Sequence, residues 1–102
     1  MVGIIKNLLK NNIMTENEKS LYDKAIKKWG VDSQVYMAYE EMGELLSALN
    51  KLLRKRVTVD DVITEIADVQ IMTEQLALIF GQEKVETEKE RKLKRLEERL
   101  NK

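Results

Sequence analysis

Four carboxylates stand at two matched spacings, Glu41 and Glu44 within "EEMGE" (40–44) and Glu65 and Asp68 within "EIAD" (65–68). On a helix, a three-residue interval stacks two side chains on one face, so each pair can converge on a single point. Converging carboxylates repel one another and are costly to desolvate unless they are protonated or compensated. The compensating charge that best suits oxygen-only donors is a hard divalent cation, Mg²⁺ or Mn²⁺ in its place. Carboxylate-bound Mg²⁺ usually keeps waters and completes its shell with phosphate oxygens. That directs attention to phosphoanhydride or phosphate-ester chemistry with water as nucleophile.

The elements that must position these acids are helices. The 102-residue chain has no proline and only four glycines, and helix-favouring residues dominate throughout, which predicts an all-α fold of one domain. An N-terminal segment is expected near residues 4–11, followed by helices over 16–29, 32–56, 58–80 and 83–100. Asp32 or Ser33 is the expected cap of the second of these four, and Thr58 with Asp61 three residues on caps the third. Gly30 and Gly81 are expected to end helices. Met14-Thr15-Glu16 resembles a natural start, so residues 1–15 are read as an extension or short helix and 16–102 as the domain.

At 100° per residue, Met37, Glu44, Leu45, Ala48 and Leu52 fall within about 60° of Glu41. Val62, Asp68, Val69, Met72, Leu76 and Ile79 fall within about 60° of Glu65. Both acid pairs therefore sit in apolar stripes. A single glutamate on such a helix is ordinarily solvated; two matched pairs, both central to their stripes, are not explained that way. The third helix is apolar almost all round, with Ile63, Ile66, Ile71 and Leu78 outside the acid face, and should be buried on several sides. One small protomer hardly supplies that, so a homo-oligomer is expected.

Composition removes other chemistries. Cysteine and histidine are absent, which excludes thiolate nucleophiles, disulfides, the Ser-His-Asp arrangement and the usual zinc site. Ferritin-like di-iron sites also use helical carboxylates, but they want Glu-x-x-His pairs. Lys+Arg and Asp+Glu balance at 18 each, which argues against a nucleic-acid partner. No apolar run approaches membrane-spanning length, and "MVGIIKNLLKNNIM" is too interrupted by Lys and Asn for a signal peptide, so no membrane partner and a cytoplasmic location are expected.

With those residues placed, "EEMGELLSALNK" (40–51) followed by "EIADVQIM" (65–72) resembles the MazG-like, all-α nucleoside triphosphate pyrophosphohydrolases, whose signature is an E-x-x-E pair and an E-x-x-D pair on consecutive helices. "KKWGVDSQ" before the first pair and "KLKRLEERL" after the second agree, so the resemblance covers roughly residues 18–100. It implies cleavage of a (d)NTP between the α and β phosphates, giving a (d)NMP and pyrophosphate. Glu41, Glu44, Glu65 and Asp68 would hold Mg²⁺ and activate water. Protomers would assemble into dimers or tetramers, pairing helices into four-helix bundles. A non-catalytic helical assembly or nucleotide-binding regulator that kept the fold stays open beside it, as does a coiled-coil interaction module.

Further candidates are weaker. Glu40 lies beside Glu44 on the wheel and could polarise the attacking water. Lys51, Lys89 and Lys92, with Arg95, could meet phosphate, although solvated salt bridges suit them equally. Tyr36 and Tyr39 could stack on a base, while Trp29 is expected to pack in the core or an interface. Leu93, Leu96 and Leu100 form an a/d-type seam expected to pack helices.

Overall fold

The computed structural model describes residues 14–102. Residues 1–13 of the extension or short helix expected at 1–15 lie outside them. The described residues form four helices, α1 (Glu16–Trp29), α2 (Val31–Leu53), α3 (Val59–Phe80) and α4 (Gln82–Leu100). The expected all-α class is met.

Local chemistry sets each boundary. Thr15 opens α1 with a reciprocal cap. Its hydroxyl accepts from the Glu18 backbone N–H at 3.1 Å, and Glu18 Oε1 accepts from the Thr15 N–H at 2.7 Å. Gly30, at φ 89°, ends α1 and begins α2 directly, so α2 starts at Val31 and neither Asp32 nor Ser33 caps it. The glycine makes the reversal in a region other residues reach only with strain, which leaves no room for a side-chain cap. Gly81, at φ 127°, does the same between α3 and α4. The second helix ends at Leu53, earlier than expected. Lys55 turns left-handed at φ 59°, its N–H bonds to Leu52 C=O, and the Arg56 N–H bonds back to Lys51 C=O, each at 2.9 Å. This is a Schellman closure with lysine where glycine is usual.

The most extensive packing is between α2 and α3, joined by residues 54–58; α1 rests on both, and α4 touches only α3. Ala38 and Ala48 are buried on α2, Val62 and Met72 on α3 and Tyr22 on α1. The phenol of Tyr22 donates to Glu74 Oε2 at 2.5 Å and ties α1 to α3; burial, then this bond, push its pKa well above the usual tyrosine value.

The core is thin. Among the described residues no large side chain is fully buried, and the radius of gyration is 16.0 Å against about 13 Å for a compact chain of this length. Trp29 is 56 % exposed beneath the Lys28 ammonium instead of packed in a core. Ile63, Ile66 and Ile71 of α3 face solvent in the protomer, because α1 and α4 cover only part of a helix apolar all round. Of the α4 seam only Leu93 is partly covered, whereas Leu96 and Leu100 are exposed.

Candidate functional site

The second helix carries Glu41 and Glu44 one turn apart, and the five-residue reversal returns the chain so that Glu65 of α3 comes opposite them. Two local features hold this register. Thr58 caps α3, its hydroxyl accepting from the Asp61 N–H at 3.3 Å while Asp61 Oδ2 accepts from the Thr58 N–H at 2.8 Å. Ala38 and Ala48, buried on either side of the acids along α2, let the two backbones approach. Asp61, expected as a capping residue, is one. Those hydrogen bonds from Thr58 hold its carboxyl below the usual range.

One carboxylate oxygen from each of Glu41, Glu44 and Glu65 lies within 4.8 Å of the others. Glu41 and Glu65 are half-buried and Glu44 is exposed, so the group has an inner pair and an outer rim. The inner pair is unsatisfied: Oε2 of Glu41 and Oε2 of Glu65 are buried, and neither has a hydrogen-bond partner. Among the described residues the ion pairs are Arg91–Glu88 and Lys94–Glu90, both on α4, so no lysine or arginine neutralises the group.

The electrostatics follow from that geometry. Burial, then repulsion from Glu44, Asp68 and Glu65, raises the pKa of Glu41. Burial, then the Glu44 carboxyl, raises that of Glu65. Asp68 is half-buried on α3 and outside the tight group of three, yet its charge acts on both inner glutamates. Three of the four expected ligands thus meet, with the fourth beside them.

The remaining candidates are not among the three converging carboxylates. Glu40 and Lys51 are exposed on α2. Lys89 and Lys92 lie on α4 beside Val85, Leu93 and Leu96, on a helix that makes no contact with α2. Tyr36 and Tyr39 stack edge to face, 6.1 Å between centroids, both exposed. Two residues escaped the sequence reading. Gln34 and Gln75 are buried polar side chains, the Nε2 of one and the Oε1 of the other without partners. A signal existed for both, since Gln34 precedes Glu41 by seven positions and Gln75 follows Asp68 by seven, so each shares the stripe of an acid.

Two buried, unpartnered carboxylate oxygens beside a third carboxylate fit a hard cation, since a divalent ion would satisfy both oxygens and remove the mutual repulsion. No family model, curated protein or solved structure matches the chain.

Proposed function

We propose that this protein is a Mg²⁺-dependent nucleotide pyrophosphohydrolase, cleaving a (d)NTP to a (d)NMP and pyrophosphate. Glu41, Glu44, Glu65 and Asp68 hold the cation, which when bound neutralises phosphate charge and eases attack by water. The observation that carries the reading is the meeting of three carboxylates within 4.8 Å, two of them with buried, unpartnered oxygens and, among the described residues, no ion pair to a base. The resemblance of the two acid motifs and their flanks to MazG-like enzymes supplies the choice of reaction.

The half-buried pair, Glu41 and Glu65, fixes the floor of the site, and the exposed Glu44 leaves it open to a solvent-borne ligand. Water attacks the α phosphorus, the bond to the bridging oxygen breaks and pyrophosphate leaves; Glu40, exposed beside Glu44, receives the water's proton. Lys51 is exposed on α2, and Lys89 and Lys92 lie on α4, which does not contact α2, so the phosphate role expected of them has no support in the protomer. The protein works as a homo-oligomer.

A panel of nucleoside di- and triphosphates, incubated with and without Mg²⁺ and followed by product identification, tests this. Expected is Mg²⁺-dependent release of pyrophosphate and the monophosphate from at least one triphosphate. No release from any nucleotide would remove the enzymatic reading, and nucleotide binding without turnover would assign a regulatory protein instead.

A further inference from the structure

We infer that the exposed side of α4 is a docking surface for a helix of a partner protein, one whose apolar seam is flanked by carboxylates. With Val85 as zero and about 100° per residue, Leu96, Lys89 and Leu100 follow within about 60° on one side. Lys92, Arg99, Glu88, Arg95, Lys84 and Arg91 follow within about 120° on the other. All of these are exposed. Glu88 is the one acid among them, against six bases. The opposite arc, from about 80° to 140°, holds Leu93, Glu86, Glu97 and Glu90, all partly covered. Among the described helices α4 contacts only α3. A chain with no net charge therefore turns a strongly basic side of this helix outward and keeps much of its acid on the covered one.

Charge and spacing choose the occupant. Val85, Leu96 and Leu100 are 45 %, 48 % and 75 % exposed. Leu93, Leu96 and Leu100 recur at intervals of three and four, the spacing by which one helix seats another. Val85, Leu93 and Leu96 line a groove that Lys89 and Lys92 share. A helix laid there sets its seam against the aliphatic side chains and its flanks against Lys92, Arg95 and Arg99. Carboxylates on those flanks meet opposite charge. A second copy fits poorly, because its own basic side would oppose this one while its acids stay on the partly covered side. A nucleic-acid backbone suits the bases but leaves the aliphatic strip without a partner. A bilayer has no use for the helical register, and the strip offers it no aromatic anchor. The inference goes beyond the proposed function and draws nothing from the cation or the reaction.

The probe is a labelled helical peptide of about three heptads, with leucine at a and d and glutamate at e and g. Its control carries lysine in place of every glutamate. In anisotropy titrations with the full chain, the acidic peptide should bind at least about tenfold more tightly than the basic one, and at least about tenfold more weakly in high salt. Leu96→Asp, and Lys92→Glu combined with Arg99→Glu, should each weaken that binding at least about tenfold. Circular dichroism checks that both variants keep their helices, and Lys92→Gln, which only removes a charge, should show the same loss in smaller measure. Equal binding of the two peptides, or no binding of either, would overturn the inference. So would a preference for phosphatidylserine vesicles or duplex DNA over the acidic peptide, which would assign the side to a membrane or to nucleic acid. An oligomer of this chain that Leu96→Asp dissociates would overturn it in favour of a second copy.

Discussion

The acids of α4 and those of the α2–α3 hairpin are the same residue types in opposite circumstances. On α4, Glu88 is held by Arg91 three residues on and Glu90 by Lys94 four residues on, all on an exposed helix with no buried residue. The pKa of Glu88 is lowered by that arginine. On the hairpin, Glu41 and Glu65 each have a buried oxygen with no hydrogen-bond partner and no ion pair among the described residues, and their pKa values are raised. An acid-rich helix is therefore not a site in itself. Carboxylates that are desolvated together and left unpaired mark a candidate site, which ion-paired acids on an exposed helix do not.

The sharpest way to break this contrast is to neutralise one member of each set. Glu41→Gln, Glu65→Gln or Asp68→Asn should lower Mg²⁺-dependent pyrophosphate release at least about 100-fold, because a metal ligand is removed. Glu88→Gln should leave release within about twofold of the parent. Initial rates at saturating Mg²⁺ decide between the two groups.

Capping separates the regions next. Thr58→Ala removes the hydroxyl that starts α3 and holds the register of Glu65, and should cost about 1 kcal/mol. A chain of this size would lose about 4–8 °C in Tm for that change. No equivalent substitution exists at the start of α4, where Gly81 makes no side-chain cap.

A smaller effect has opposite signs in the two regions. Glu41 and Glu65 bind protons more tightly in the folded state than their ordinary value of 4.5. Their contribution to the stability of the metal-free protein is therefore most favourable below 4.5 and is lost as pH rises through the raised folded values. Glu88, held down by Arg91, contributes stability above its ordinary value of 4.5 that is lost as pH falls through its lowered one. Metal-free Glu41→Gln should melt a few degrees higher than the parent at neutral pH and show a flatter Tm–pH curve, whereas Glu88→Gln should not. Mg²⁺ should raise the Tm of the parent and not that of Glu41→Gln.

The smallest expected change lies in the loop joining the two halves of the acid group. Lys55→Gly relieves a left-handed backbone and should stabilise by roughly 0.5–1 kcal/mol, seen as a higher urea midpoint. A loss of stability there would mean that the Lys55 side chain holds the hairpin in a way its backbone does not explain.

The helices and their breaks were legible because they depend on neighbours in sequence. Thr58 with Asp61 reads directly as a capping box, and Gly30 and Gly81 read as helix ends. The early end of α2 was not legible, since a left-handed lysine has no compositional signature. Convergence of Glu41, Glu44 and Glu65 was foreseeable from their stripes, because a helical period dictates which residues share a face. The exposure of Trp29 and of the α3 isoleucines was not foreseeable, because it depends on how much of each helix α1 and α4 cover.

From sequence alone came four helices, the facing stripes that carry the acids, and the exclusion of thiol and imidazole chemistry. All of these follow from propensity, periodicity and residue type, which act over a few turns. Only the tertiary arrangement decided that Asp68 stands beside the tight group and not within it, that Glu41 and Glu65 have unpartnered oxygens, and that isoleucines of α3 are left uncovered. Those outcomes depend on the spacing between helices distant in the chain, and no local rule encodes that distance.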